Sequence, residues 1–415
     1  MSTAKFICKL FRFKNILKVV DVRFTDYNRR LIIVVKPHKN GCRCPKCDKR
    51  GKIVCHTKVF REWKDVPVCG ITVVLCYAPK EIICPTHGRV QEDIPWAGMF
   101  ARVTQRFEYA VLRFGQQMTQ KAAAERLQIP KSTFSDLVHS IITRERADHK
   151  IRDLTLMGVD EISYGKGHKY ATIIYDLKRA KVVWVGAGKG SETLELFLKT
   201  KLSEYQRTKI RFACCDMSKA YISTIEKKLN KTTLVIDRFH IVKALNAAMD
   251  EVRKQEWRKV SKAKRLALKG IRWILFRHSS TRTKAHTRMI KSLRRGNNRI
   301  YRAWLLKDEF EHFWGYSYTG SAENFLKKWS TRALKSKLDP LRKFVQTLRE
   351  HQQYILPYIE THLTNAKGEG INRILKIVKN RASGFKSLEP FSDMIYLTIG
   401  DLDIPGQFPP RFRSI

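Results

Sequence analysis

Two short knuckles, Cys44-Pro45-Lys46-Cys47 and Cys84-Pro85-Thr86-His87, constrain this chain more than any other feature. Two-residue spacing lets both side chains of a knuckle turn onto one cation, and zinc prefers four such sulfur and nitrogen ligands in a tetrahedron. One shared ion closes the 36 residues between the knuckles into a loop, long for a compact finger but suited to a ribbon with strands inside it. Seven of the ten cysteines lie between positions 42 and 84; in a reducing compartment such crowding favours metal ligation over bridging. Ten in 415 residues is also too sparse for a disulfide scaffold. Cys42 is the alternative ligand, while Cys55, Cys69 and Cys76 suit packing as small hydrophobes. A closed set of four ligands leaves no position for substrate, so the expected zinc is structural.

Charge narrows the function. Lys and Arg number 82 against 38 Asp and Glu, a formal charge of +44, far more than solubility needs, and the excess points to a polyanionic partner. With 43% hydrophobic residues the chain still buries a core, which excludes wholesale disorder, and its length suits several domains. No apolar run approaches the ~18–20 residues of a membrane span. The N-terminal MSTAKFICKLFRFKNI is basic but has no long apolar region or small-residue cleavage site. The expectation is a cytoplasmic, nucleoid-associated protein.

Periodicity divides the chain. Leu17 to Val35 reads as two strands around Asp26-Tyr27-Asn28. Arg102 to Arg146 turns helical and breaks at Gln128-Ile129-Pro130-Lys131. There Ala123, Leu127, Ile129, Phe134, Leu137 and Ile141 can share one buried side, and Ser132 or Thr133 can cap the second helix. That layout matches a helix-turn-helix presenting Lys131, Ser132, Thr133 and Ser135 to a DNA groove. Any two helices joined by a short turn look similar; the neighbouring knuckles and the charge tip the balance toward DNA.

From Leu154 to Ile236 strands (LTLMGVD, YATIIYDL, AKVVWVGA, IRFACCD, TTLVID) alternate with helices at Glu192 to Glu204 and Lys219 to Asn230, the pattern of an α/β domain. Ile241 to Glu350 reads as helical throughout, with 28 Lys/Arg against 9 Asp/Glu. Its middle, Trp257 to Lys307, holds 17 basic residues and no acid. Trp257, Trp273, Trp304, Trp314 and Trp329 fall in this region; at helical spacing tryptophans are mostly core, with stacking on an unpaired base as the rarer use.

Asp160 and Asp216 each end an apolar run, which sets them at the mouths of strands, charged yet held by rigid backbone. Two such groups on neighbouring strands can hold Mg²⁺. A third acid would complete a two-metal site. Glu369 is a candidate, on or just before a helix, with Asn372 and Lys376 following on the same side. An Asp at a strand end is usually a cap or turn residue, and spacing alone carries the case no further.

GVDE at 158–161, CCDMSKAY at 214–221, VIDRFHIVK at 235–243 and NAKGEGINRILKIVKNRASGFK at 365–386 resemble the signatures of a bacterial insertion-sequence transposase, the ISL-three group of DDE transposases. The likeness extends to both knuckles, REWKDVPV at 61–68, KGIRWILFRH at 269–278 and YRAWLLKDEF at 301–310, so it runs along nearly the whole chain in order. It implies a multidomain α/β protein whose RNase H-like core carries Asp160, Asp216 and Glu369 as a DDE triad binding Mg²⁺ or Mn²⁺. The 153 residues from Asp216 to Glu369 exceed a bare core of that type, which a long all-helical insertion explains. Asp237-x2-His240 is similar to a motif near the start of such insertions, with substrate positioning and a plain structural pairing as its two readings. The implied activity binds terminal inverted repeats, cuts at the element ends and joins the freed 3′-hydroxyls to target DNA, with Lys376 as a further DNA contact and a homodimer or higher assembly pairing the ends.

The domains expected are N-terminal strands (1–40), zinc ribbon (41–98), helix-turn-helix (99–150), first part of the core (151–240), basic helical insertion (241–354), catalytic-helix part of the core (355–400) and an irregular tail (401–415). Two other readings compete: a non-catalytic regulator built on the ribbon and helix-turn-helix, and an RNase H-like nuclease without strand transfer.

Overall fold

The structure, a computed structural model, describes residues 2–402 apart from 12, 14–16, 38–41, 57–58, 99–100, 148, 166, 262–264, 266–269 and 362–365. The expected irregular tail lies almost wholly outside the described residues. The chain divides into two compact units, Met1–Lys150 with Lys376–Ile415, and Ile151–Leu375.

The first unit opens with a helix, α1 (Thr3–Leu10), not anticipated from the sequence. Only Ile7 of that helix is buried, and its apolar pattern spans just eight residues. Seven strands follow: β1 (Leu17–Thr25), β2 (Arg30–Pro37), β3 (Lys52–His56), β4 (Arg61–Val68), β5 (Ile71–Tyr77), β6 (Lys80–Cys84) and β7 (Gly88–Gln91). The turn between β1 and β2 holds Asp26, Tyr27 and Asn28 at φ of 54°, 51° and 65°, the left-handed region that short polar residues tolerate best. One sheet runs β1-β2-β5-β4 and a second β3-β6-β7. The stretch between the knuckles therefore feeds both sheets, since β4 and β5 join the N-terminal strands. Leu31, Ile33, Val35, Val73 and Leu75 alternate into a core closed by Trp63 against the edge of Trp96, ring centroids 5.8 Å apart. Buried Asp65 accepts from Thr104 Oγ1 at 2.7 Å and pairs with Arg106, tying β4 to the helix that follows.

Helices α2 (Gln105–Gln117), α3 (Gln120–Arg126) and α4 (Lys131–Ala147) complete this part. Thr104 caps α2 and Thr119 caps α3. Helix α4 already begins at Lys131, directly after Pro130, so Ser132 and Thr133 lie in its first turn and do not precede it as caps. Ala123, Leu127, Phe134 and Ile141 are buried as their spacing requires. The helix Leu388–Ile399 packs on α2 and α4.

The second unit is built on a five-stranded sheet of order β10-β9-β8-β11-β12: β8 (Leu156–Ser163), β9 (Tyr170–Asp176), β10 (Lys181–Ala187), β11 (Phe212–Cys215) and β12 (Thr233–Ile236). The first three are antiparallel hairpin neighbours, whereas β11 runs parallel to both β8 and β12. Helices α5 (Ser191–Lys201), α6 (Glu204–Thr208) and α7 (Lys219–Lys228) supply the crossovers a parallel pair needs. Near-continuous burial of β9 and β10 reflects a sheet covered on both faces. Gly158 faces Tyr175 across the β8–β9 pair, where any Cβ would overlap the Tyr175 ring.

Beyond β12 the regular elements up to Thr361 are helices, among the described residues, starting with α8 (Arg238–Lys259). Their interior is aromatic: Phe310 lies 4.8 Å from Trp329 and 5.8 Å from Phe344, with Phe313 also buried. Burial of such side chains, at ~1.5–3 kcal/mol each, lets a region this rich in basic residues fold while most of the charge points outward. Of the five tryptophans expected here, Trp304, Trp314 and Trp329 are core, whereas Trp273 is 67% exposed.

Candidate functional site

The knuckles meet. Ligand atoms of Cys44, Cys47, Cys84 and His87 all lie within 4.8 Å of one another, a set that could hold a metal ion. Cys44 Sγ is 3.6 Å from His87 Nδ1, and Cys47 Sγ is 3.5 Å from Cys84 Sγ. The backbone explains the convergence. Asp48 N–H donates to Cys44 O at 2.9 Å and Asp48 adopts φ of 58°, which folds the first knuckle; Thr86 N–H donates to Cys84 Sγ at 3.4 Å in the second. Burial raises the Cys84 thiol, but the backbone N–H groups of Thr86 and His87 and the neighbouring side chains outweigh it and bring it down to about 6. That thiolate character suits zinc. Cys42, the alternative ligand, stays outside the group, buried, with its thiol raised by burial and by Glu92. Cys76 is half-buried, but Cys69 is exposed at φ of 52° in the β4–β5 turn, so packing does not account for it. The Cys55 side chain lies outside the described residues.

The carboxylates occupy the second unit. In the β8–β11 pairing Cys214 stands opposite Gly158, and two residues on from that pair come Asp216 and Asp160. Parallel strands thus deliver both acids to the same end of the sheet. Asp160 Oδ1 accepts from Glu161 N–H at 2.7 Å, and Asp216 Oδ1 from Ser218 N–H at 2.9 Å, which steadies both side chains. Burial, and after it the negative charge of Asp216, lifts the Glu161 carboxyl above its ordinary value, with Asp160 adding to the rise. Burial is the larger cause, and the two carboxylates add to it. Glu161 is also hydrogen-bonded to Tyr221, whose hydroxyl, 3.1 Å from Thr172 Oγ1, is pushed up to about 12 by burial first of all.

The third acid, Glu369, belongs to the helix Ala366–Arg381, but its side chain lies outside the described residues. Asn372, one turn further along that helix, donates to Asp160 Oδ2. Asp237, buried, caps α8 by accepting from Phe239 N–H at 3.1 Å, and its own N–H donates to Cys215 O at 3.1 Å, beside Asp216. His240 is half-buried, its ring edge-on to Phe239 at 5.4 Å. Lys131, Ser132 and Thr133 are exposed at the start of α4, Ser135 is half-buried, and Lys376 is exposed. Sequence reasoning left out Tyr221 as a member of the carboxylate network, and only its position inside CCDMSKAY could have flagged it; Glu161, beside Asp160 in GVDE, reads from the sequence as a supporting or surface group.

A mixed α/β fold with a cysteine–histidine cluster and strand-end carboxylates, in so basic a chain, defines the class of proteins that work on polyanions. Comparison with known proteins gives the family. The family model described as transposase, of the ISL-three DDE type, matches residues 157–395, and the chain belongs to this family of insertion-sequence transposases. It is 27% identical over 370 residues to the transposase for insertion sequence element IS1001 of Bordetella parapertussis, covering 88% of this chain and 91% of that protein. It is 23% identical over 412 residues to the transposase for IS1557 of Mycobacterium tuberculosis, covering 92% of each. Among solved structures, the Drosophila P element transposase strand transfer complex aligns with 72% of this chain and 92% of that one at 10% identity, with a TM-score of 0.36, too distant to inform the site. The chain is accordingly an enzyme of DNA transposition. Among the described residues no helix is long and apolar enough to cross a membrane.

Proposed function

We propose that this transposase binds the terminal inverted repeats of its element, cleaves DNA at the ends and joins the freed 3′-hydroxyls to target DNA, with Asp160, Asp216 and Glu369 as the catalytic acids. The observation that carries this reading is the parallel pairing of β8 with β11, which sends Asp160 and Asp216 toward the same end of the sheet, together with the hydrogen bond from Asn372, one turn after Glu369, to Asp160. The donor chemistry fits divalent cations: oxygen ligands, half-buried, beside a Glu161 carboxyl raised by burial first and then by the charges of Asp216 and Asp160. Bound Mg²⁺ or Mn²⁺ would lower the pKa of the attacking water or 3′-hydroxyl and stabilise the leaving 3′-oxygen. Asp160 and Asp216 would hold the cations, Asn372 would keep Asp160 aimed, and Asp237 with His240 would set the position of α8 beside them.

The sheet order of three antiparallel strands followed by two parallel ones supports an RNase H-like core, and the helices between β12 and Ala366 support an insertion into it. The domain boundaries expected from the sequence remain part of the proposal. In the first unit, α3 and α4 would act as the helix-turn-helix, with Lys131, Ser132, Thr133 and Ser135 toward a groove and Lys376 on phosphates. Structural zinc would hold the knuckles, and two or more protomers would pair the element ends.

Labelled element ends incubated with Mg²⁺ and a target plasmid test this directly. Asp160→Ala should abolish end cleavage and leave repeat binding intact; unchanged cleavage defeats the enzymatic assignment. Cleaved ends that never join the target would leave a nuclease instead.

A further inference from the structure

One face of α8 carries Phe239, Lys243, Asn246, Asp250 and Lys254 at successive helical turns, opposite the helix Arg272–Phe276. Between them lies an open cleft of about 520 Å³, within the range of small-molecule sites. Three features of its wall are not explained by folding. Phe239 is 47% exposed although apolar, with Lys243 Nζ 6.0 Å from its ring centroid. The Asn246 side-chain oxygen is buried and has no hydrogen-bond partner among the described residues, a state that ordinarily costs stability. The polar part of the wall carries Lys243, Lys254 and Arg272 against Asp250 and Glu251. Asp250 is occupied by Arg253 at 2.8 Å and Arg272 at 3.5 Å, and Glu251 by Lys254 at 3.5 Å, whereas Lys243 has no carboxylate partner among the described residues.

An exposed ring, a buried acceptor lacking a donor, and a free cation at the rim together fit a flat aromatic group that carries amino hydrogens and an attached phosphate. The geometry points to a pocket for an unpaired nucleobase of bound DNA, stacked on Phe239, hydrogen-bonded through an exocyclic amine to Asn246, with its phosphate at Lys243. Phe276 closes the opposite side, and Arg272 lies over the rings of both Trp273 and Phe276, at 4.9 and 5.5 Å. The place suits the work: Phe239 follows Asp237 by two residues, and Asp237 is bonded to the strand that delivers Asp216. An enzyme that acts on DNA gains a fixed register by holding one extruded base near its acids, since a base already unpaired is readily unstacked. This inference rests on the chain's being a DNA transposase but not on the identity of the catalytic acids.

The experiment uses the full chain without divalent metal, so that nothing is cut. Three 20-base-pair duplexes differ at one site: fully paired, a single bulged 2-aminopurine, and a bulged abasic residue. The wild type should bind the bulged base about tenfold more tightly than the abasic bulge, the scale of one stacked base, and quench its fluorescence. Phe239→Ala should lose both effects while binding the paired duplex normally; Phe239→Trp should keep them, which guards against misfolding. Asn246→Ala should weaken the preference for the bulged base. Equal affinity of the wild type for base and abasic bulges, or an undiminished preference in Phe239→Ala, overturns the pocket. Because Asp160→Ala should retain base capture, failure here and failure of the catalytic assignment give different results.

Discussion

Asn372 donates a side-chain hydrogen bond to Asp160, 212 positions away in sequence. The amide ties the helix that contains Glu369 to the strand that contains Asp160. A carboxylate held from one side by a backbone N–H and from the other by an amide presents its remaining lone pairs in a fixed direction, which is what a cation-binding group requires.

Removing that amide should therefore cost activity more than stability. Hydrogen bonds to charged groups are worth about 1.5–3 kcal/mol, so Asn372→Ala should slow end cleavage about ten- to a hundredfold. Asn372→Asp, which sets a further negative charge against Asp160, should raise the Mg²⁺ concentration needed for half-maximal cleavage. Cleavage rates across a Mg²⁺ titration check both; a variant with unaltered rate and Mg²⁺ dependence removes Asn372 from the site.

Gly158 makes a second prediction, this time about folding. Its missing Cβ admits the Tyr175 ring against the sheet, two residues before Asp160. Gly158→Ala should destabilise by about 1–3 kcal/mol, the usual cost of overpacking, seen as a lowered melting temperature. Tyr175→Ala alone opens a cavity and destabilises as well, but the two changes together should cost less than their sum, because the added methyl then meets no ring.

These two residues mark the limits of the sequence. Every strand of the β8–β12 sheet was readable as an apolar run, because burial on both faces leaves a local trace, and the α3–α4 turn was readable from Pro130. The knuckle residues were readable because ligand spacing is itself a local signal. Pairing between distant segments leaves no such trace. Nothing in REWKDVPV says that β4 joins the N-terminal strands, and nothing in GINRIL says that Asn372 reaches Asp160. Helix α1 is only eight residues long, too short for its apolar pattern to stand out, and the exposed Cys69 looks in sequence like any packed cysteine.

Metal analysis of the purified chain should give about one zinc per protomer, held by Cys44, Cys47, Cys84 and His87. Cys84→Ser should reduce the zinc content well below one and lower the stability of the knuckle region, because structural zinc contributes folding free energy directly. The β8–β12 sheet belongs to the other unit and should unfold as before. Limited proteolysis before and after chelation distinguishes the two: new cuts should fall between residues 42 and 98. Full zinc occupancy in Cys84→Ser would point to Cys42 as a replacement ligand.

The last prediction concerns pH. His139 on α4 lies with Nδ1 2.9 Å from Asp393 Oδ2 and Nε2 3.6 Å from Glu389, both on the helix Leu388–Ile399. The hydrogen bond to Asp393 raises the imidazole above its ordinary value, and burial raises the Asp393 carboxyl. For a base raised on folding, the stabilisation is complete below the unfolded value of about 6.5 and fades as pH climbs through the folded value. Asp393 also loses stability as pH rises, but its loss begins at the unfolded carboxyl value of about 3.9, so the decline above pH 6.5 belongs to His139. Packing of the helix Leu388–Ile399 on α4 should thus weaken from about pH 6.5 upward. Thermal unfolding of the wild type should show a melting temperature that falls between about pH 6.5 and 8, and His139→Gln should flatten that slope while lowering the acidic plateau. A slope unchanged by His139→Gln would assign the pH dependence to other groups.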